Sequence, residues 1–239
     1  MIDHNGEEKR PALLPASALP QYALDAVDGC IGQARDLFFC DDDWMIHCLV
    51  ARVGSWLHDR RVLVQRTFLG SVSNVDKTIS VSLTRLQVRH ATPAEFNNSR
   101  ARIRNARDAM GFPHEAPALA TVQSAFPSHG ISEPASSLPN NGHYHLLSCD
   151  DLLTDYTFHA RNVEIGGLHD ILINPDLWRI EYFVVQKGVL FSRKLCMIQP
   201  NEVGSISSDN REVFVDLDLS ALDEAPDYKY FKKYFGLPR

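Results

Sequence analysis

The segment Asp36–Val50 reads DLFFCDDDWMIHCLV, and the segment Asp170–Val184, which lies 134 positions later, reads DILINPDLWRIEYFV. The two segments share the first aspartate, a second aspartate, the tryptophan two residues after it, an isoleucine and the final valine. At this same spacing, Ala26–Leu83 aligns with Ala160–Leu217 without a gap. A self-match at a constant spacing indicates that a structural unit of about 60 residues has been duplicated.

The periodicity within each repeat is two, which is typical of β-strands. Apolar residues alternate with others in Ile79–Leu83 and again in Val213–Leu217. The turn residues of Asp41–Asp43, and of Pro175–Leu177 in the second copy, precede the shared tryptophan. In the strand that follows, alternation predicts one core-facing set of side chains in each copy: Ile46, Cys48 and Val50, and Ile180, Tyr182 and Val184.

Short strands separated by turns, in a unit this small, predict a compact β-barrel or sandwich. We therefore expect an all-β protein with minor helices, made of two tandem barrels and a Pro/Ser-rich linker. The expected divisions are an N-terminal tail (1–20), a first barrel (21–92), a short helix plus linker (93–142), a second barrel (143–226) and a C-terminal helix or tail (227–239).

Composition excludes several classes of protein. The 239 residues have a formal charge of −6, which disfavours a nucleic-acid partner. No apolar run of about 18 residues is present, so we expect no membrane insertion and a cytoplasmic location. The five cysteines include no CxxC pair, which disfavours disulfides and a zinc site. We expect no cofactor and no metal.

Several ordered motifs carry a resemblance to a known family. In the first copy they are Gly29–Gly32 (GCIG), Asp36–Phe39 (DLFF), Asp41–Ile46 (DDDWMI), Gly54–Leu57 (GSWL) and Arg60–Val64 (RRVLV). The second copy has Glu164–Gly166, Asp170–Leu172, Asp176–Val185 and Arg193–Pro200. Together these motifs resemble the PRC-barrel domain, over roughly residues 21–90 and 146–226.

The resemblance implies two small SH3-like barrels. Because duplication commonly replaces a homodimer, we expect the two barrels to be related by a pseudo-twofold axis. Related domains form the cytoplasmic part of the photosynthetic reaction-centre H subunit and the C-terminal domain of a ribosome-maturation factor. In both, the barrel is a binding module. The chain is similar to soluble bacterial proteins with two PRC-barrels, some of which are linked to stress. Two departures, Gly29 to Val163 and Arg60-Arg61 to Lys194-Leu195, predict that the second copy is degenerate at one surface.

Three repeated residue types are expected to be structural. Asp36 and Asp170 each place a carboxylate within an apolar strand, where it could act as an acid or base. However, no histidine or nucleophile recurs beside it, so we expect a hydrogen bond to a neighbouring turn or to Arg60. Each tryptophan is expected to fill its own barrel. The pairs are Asp36 and Asp170, Trp44 and Trp178, and Gly32 and Gly166. We expect no catalytic residue, and hence no enzyme.

The expected partner-binding residues lie in the loop that follows Gly54 or Gly188: Trp56, Leu57, Leu190 and Phe191. Exposed apolar residues there would form a contact surface, unless the two barrels pack on each other through them. The leading hypothesis is an adaptor or scaffold for a protein of unknown identity, as a homodimer or with its barrels paired intramolecularly.

Two alternatives remain open. One is a regulator that binds a small ligand or a metal, using the cleft between the barrels and the linker histidines: His114, His129, His143 and His145. The other is a factor associated with RNA or ribosomes. That alternative depends on the basic cluster of Arg100, Arg102, Arg104 and Arg107, which also fits a solvated helix face.

Overall fold

A computed structural model describes residues 12–54, 60–91, 146–161, 163–188, 194–225 and 228 of the chain. Over these residues the fold is all-β with minor helices, as predicted. The strands form two mixed sheets of seven strands each. The predicted helix and linker of residues 93–142 lie outside the described residues, as does most of 227–239.

The chain begins with β1 (Leu14–Pro15) and a 3-10 helix, Ala16–Gln21. The first repeat then contains β2 (Ala23–Ala26), β3 (Gly29–Cys40), β4 (Ile46–Val53), β5 (Arg60–Gln65), a 3-10 turn (Arg66–Phe68), β6 (Leu69–Ser73), β7 (Thr78–Val81) and helix α1 (Arg85–His90). The strand order is β5-β4-β3-β2-β7-β6. Neighbours are antiparallel except β2 and β7, which are parallel.

The second repeat has the same order of elements. It contains β8 (Leu146–Ser148), α2 (Cys149–Asp155), β9 (Thr157–Ala160), β10 (Val163–Asn174), β11 (Arg179–Lys187), β12 (Lys194–Ile198), a 3-10 turn (Pro200–Glu202), β13 (Val203–Ser207), β14 (Glu212–Val215) and α3 (Leu219–Glu224). The strand order is β12-β11-β10-β9-β14-β13, which reproduces that of the first sheet.

The first strand of each half belongs to the sheet of the other half. Leu14 of β1 pairs with Ile173 of β10, whereas Leu147 of β8 pairs with Phe39 of β3. Since Phe39 and Ile173 are equivalent in the two repeats, the exchange is reciprocal. Part of the segment predicted as an N-terminal tail (1–20) thus forms a strand and a 3-10 helix. The predicted second barrel likewise gives its first strand to the first sheet.

The two repeats also meet at their shared tryptophans. The amide of Ile46 donates to the carbonyl of Trp178 at 2.8 Å, and the amide of Ile180 donates to the carbonyl of Trp44 at 2.9 Å. Equivalent groups that contact each other in this way are characteristic of a twofold interface. Both tryptophans have positive φ, 60° and 50°, an uncommon conformation that these paired hydrogen bonds hold in place.

One hydrophobic core extends through both repeats. The ring of Trp44 stacks on Phe39 at 6.1 Å and meets the edge of Phe183, from the other repeat, at 5.6 Å. Trp44 therefore packs between the repeats, whereas the sequence predicted that it would fill its own barrel. Two smaller clusters lie apart from this core, one around Phe38 and one around Leu172, which are equivalent positions.

Two β-bulges recur at equivalent places in the repeats. The first inserts Arg35 into β3 and His169 into β10, while the second inserts His47 into β4 and Glu181 into β11. Each bulge reverses the alternation of the side chains that follow it.

Because of the second bulge, part of the core prediction for β4 and β11 is wrong. Ile46 and Ile180 do lie in the shared core. Beyond the bulge, however, Leu49 and Phe183 lie in the shared core, and the residues predicted there lie in or against the separate clusters: Cys48, Val50, Tyr182 and Val184.

Candidate functional site

A cleft of about 500 Å³ lies in the first repeat, where the ends of β3, β4 and β5 approach α1. Apolar side chains and three arginines line it together with glycines and the exposed Cys30. The lining residues are Cys30, Ile31, Gly32, Val53, Gly54, Arg60, Arg85, Val88 and Arg89. An apolar surface with a few convergent polar groups is typical of a binding site.

A glycine permits the close approach of β3 and β4 at this cleft. Gly32 has a φ of +150°, and a Cβ atom there would lie 2.0 Å from the carbonyl oxygen of Arg52. Gly166, its equivalent, has a φ of +145° and would place a Cβ 2.1 Å from the carbonyl oxygen of Gln186. Any side chain at either position would separate the two strands.

Helix α1 forms one wall and is fixed at its N-terminus by a capping box. The Thr84 hydroxyl accepts a hydrogen bond from the amide of Gln87, and the Gln87 side chain accepts one from the amide of Thr84. The amide of Arg85 donates to the carboxylate of Asp28 at 2.6 Å. Because Arg85 and Arg89 are four residues apart, both guanidinium groups lie on the same side of the helix.

Arg60, at the start of β5, holds the C-terminal end of this helix. Its guanidinium donates to the carbonyl oxygens of Arg89 and Ala91. A cation is favourable where helix carbonyls lack partners. Arg85 and Arg89 have exposed side chains, and within the described residues no carboxylate pairs with either of them. The cleft therefore presents positive charge beside an apolar surface.

The second repeat keeps the anchor of the helix but not the charge of the cleft. Lys194, the equivalent of Arg60, donates to the carbonyl of Leu222 in α3 at 3.4 Å. The equivalents of Arg85 and Arg89 are Leu219 and Asp223. None of the three positions that correspond to the cleft arginines is an arginine in the second repeat.

The repeated aspartates bind the segment that precedes the opposite repeat. Asp36 accepts hydrogen bonds from the Ser148 hydroxyl at 2.7 Å and from the amide of Asp150 at 3.0 Å. Asp170 accepts them from the hydroxyl of Ser17 at 2.6 Å and from its amide at 3.1 Å. Each aspartate also accepts from the amide that follows it. The expected alternative, a hydrogen bond between Asp36 and Arg60, is wrong, because the Arg60 guanidinium donates to the C-terminal end of α1.

Burial raises the pKa of Asp36 to about 6, and the hydrogen bonds from Ser148 and from two amides lower it in part. A carboxyl group with such a pKa can exchange protons near neutral pH. Its oxygens, however, already accept three hydrogen bonds, and Asp36 is not among the residues that line the cleft. This arrangement stabilises the exchanged segment.

The residues predicted to bind a partner lie outside the described residues: Trp56, Leu57, Leu190 and Phe191. The cleft is nevertheless bordered by Gly54 and Arg60, which flank residues 55–59. The linker histidines and the basic cluster of residues 100–107 also lie outside the described part. Arg85 and Arg89 are not among the residues that the sequence predicted to bind a partner. A comparison of Arg85 and Arg89 with their equivalents in the second repeat, Leu219 and Asp223, would have shown that these charges belong to one copy.

No protein-family model matches the chain, and no curated protein matches it. Among the helices that the structure describes, none has the length and apolar character needed to cross a membrane.

Proposed function

We propose that this chain is a non-enzymatic adaptor of the PRC-barrel kind, which binds an acidic segment of a partner protein in the cleft of the first repeat. The observation that carries this proposal is the placement of Arg60, Arg85 and Arg89 around an apolar surface. A cytoplasmic location and a link to stress belong to the same proposal, and they depend on composition and the family resemblance alone.

Charge complementarity supports an acidic occupant. Guanidinium groups bind carboxylates through paired hydrogen bonds, and Arg60 is already fixed in place by the end of α1. Ile31, Val53 and Val88 would contact apolar side chains of the same segment. The chain as a whole carries a charge of −6, so the cleft is a local positive region and not part of a continuous basic face.

The composition of the cleft supports binding over catalysis. Among the described residues that line it, there is no histidine and no carboxylate to act as a base beside Cys30. The thiol of Cys30 donates to the carbonyl oxygen of Gly32 at 3.8 Å. The cleft thus contains cations and apolar groups, which attract and hold a segment but do not transfer protons.

A small anionic molecule is the second candidate, because a volume of about 500 Å³ falls within the usual range for ligand pockets. Such a ligand would use the same arginines. It would act as a regulator and would compete with the acidic segment for the cleft.

The proposal is tested with the full chain and two labelled peptides, one alternating Glu with Leu and the other alternating Gln with Leu. Fluorescence anisotropy should show binding of the glutamate peptide only. The double substitution Arg85→Leu and Arg89→Asp, which installs the residues of the second repeat, should weaken that binding at least tenfold. Arg179→Gln, which removes an exposed charge elsewhere, should leave it unchanged.

Equal affinity for the two peptides would contradict an acidic partner. Binding that survives Arg85→Leu and Arg89→Asp would place the interaction outside the cleft.

A further inference from the structure

One hairpin of the first repeat brings three different metal-binding side chains together. Cys40 ends β3, Asp43 lies in the turn, and His47 is the bulged residue of β4. Their sulfur, oxygen and nitrogen atoms all lie within 4.8 Å of one another. This cluster is separate from the cleft, since none of the three residues lines it.

We propose that Cys40, Asp43 and His47 form a binding site for a divalent transition metal of the zinc class. A thiolate, an imidazole and a carboxylate are the ligands that such ions prefer, whereas hard cations such as Mg²⁺ or Ca²⁺ prefer oxygen ligands to sulfur. Three protein ligands leave one position for water or for a fourth side chain.

The distances within the hairpin fit a shared ion. Nε2 of His47 lies 3.6 Å from a carboxylate oxygen of Asp43, and Sγ of Cys40 lies within 4.8 Å of a ligand atom of each. Ligand atoms on a tetrahedral zinc are separated by about 3.3–3.8 Å, given metal–ligand bonds of about 2.0–2.3 Å. The Asp43–His47 pair therefore already has the spacing of two ligands on one ion, and Cys40 lies close enough to join it.

In the second repeat the same positions carry no cysteine and no histidine. Asn174 and Glu181 occupy the places of Cys40 and His47, and the Asn174 amide donates to the Glu181 carboxylate at 3.1 Å. The fold thus brings these two positions into contact in both copies. In the second copy a direct hydrogen bond connects the two side chains. In the first copy Cys40 and His47 lie beside Asp43, whose equivalent in the second copy is Leu177.

The chemistry of Cys40 sets the proton balance. Its side chain is buried, and without a metal it carries a free thiol. Binding forms a metal–sulfur bond, breaks the S–H bond and releases that proton to solvent, while the divalent ion offsets the local negative charge.

Cobalt(II) is the probe, added to the full chain after treatment with a chelator. A thiolate bound to cobalt gives a charge-transfer band in the near ultraviolet, which histidine or carboxylate ligands alone do not give. Zinc(II) should then displace the cobalt and abolish the band. The double substitution Cys40→Asn and His47→Glu, which installs the pair found in the second repeat, should fold and lack the band.

Cys30→Ser is the matched control, because it removes the exposed cysteine and leaves the hairpin intact. It should keep the full band, with about one equivalent of cobalt bound. The proposal is overturned if the wild-type chain shows no thiolate band, or if the band persists in the Cys40→Asn and His47→Glu variant. Should that variant unfold by circular dichroism, His47→Gln supplies the same test, with an expected loss of at least tenfold in cobalt affinity.

Discussion

Trp44 and Trp178, which are equivalent residues 134 positions apart, each accept a backbone hydrogen bond from the strand that follows the other. Each sheet also takes one strand from the segment that precedes the other repeat. These two exchanges, together with the shared core, join the repeats into one body. The cleft and the hairpin of the first repeat are therefore held by a frame to which both copies contribute.

The exchanged segments should differ in their contribution to stability. Ser148 is buried, donates to Asp36 and accepts from the amide of Asp151 at the start of α2, so Ser148→Ala removes a charged hydrogen bond and a helix cap. We expect a loss of about 3 kcal/mol in the free energy of unfolding by urea. Ser17→Ala should cost only about 1 kcal/mol, because Ser17 is exposed. Equal costs would contradict this account.

The repeated glycines should tolerate no side chain. Gly32→Ala and Gly166→Ala each force a Cβ against a backbone carbonyl at positive φ, and we expect each to cost about 3 kcal/mol or more. Gly167→Ala is the matched control, since a Cβ at this neighbouring position meets no atom within 4 Å. Its effect on thermal or urea unfolding should stay within about 0.5 kcal/mol. A stable Gly166→Ala protein would be inconsistent with the strand approach described.

Asp36 should make stability depend on pH. Its pKa is about 6 in the folded chain and 3.8 when unperturbed, so the folded state binds the proton more tightly. The wild type therefore loses up to about 3 kcal/mol as pH rises from 4 through 6, and the loss levels off above that range. Asp36→Asn, which stays neutral, should lack this component in urea unfolding at a series of pH values. Parallel pH profiles for the two proteins would refute the raised pKa.

Arg60 should be replaceable by the residue that the second repeat uses. Lys194 anchors α3 through the carbonyl of Leu222, so Arg60→Lys should keep α1 in place and leave stability within about 1 kcal/mol of wild type. Arg60→Ala removes the donor to Arg89 and Ala91, and it should lower both the stability and the affinity for the glutamate peptide. If Arg60→Ala binds that peptide as well as wild type does, Arg60 has no part in the cleft.

The repeat, the strands and the turn at Asp41–Asp43 could be predicted because each leaves a local pattern in the sequence. The strand exchange could not, since it aligns Leu14 with Leu147 at a spacing of 133, one residue short of the main repeat. The bulges at His47 and Glu181 also could not be predicted, because the alternation of apolar residues in the sequence does not reveal an inserted residue. They explain why the predicted core is right at Ile46 and wrong at Cys48.

The two candidate sites were missed for different reasons. Arg85 and Arg89 lie just beyond the aligned repeats, which end at Leu83 and Leu217, so the repeat pattern does not include them. Cys40, Asp43 and His47 do not show the CxxC spacing that normally indicates a zinc site. They come together because a hairpin and a bulge place them there, and only the three-dimensional structure shows this.

Native-state hydrogen exchange in increasing urea distinguishes one cooperative unit from two independent repeats. The amides of Val50 in β4 and Val184 in β11 occupy equivalent buried positions, one in each repeat. If the repeats form one unit, both amides should exchange through the same opening, with equal free energies and equal urea dependence. If one amide exchanges at low urea while the other stays protected, the repeats are independent domains and the account is wrong.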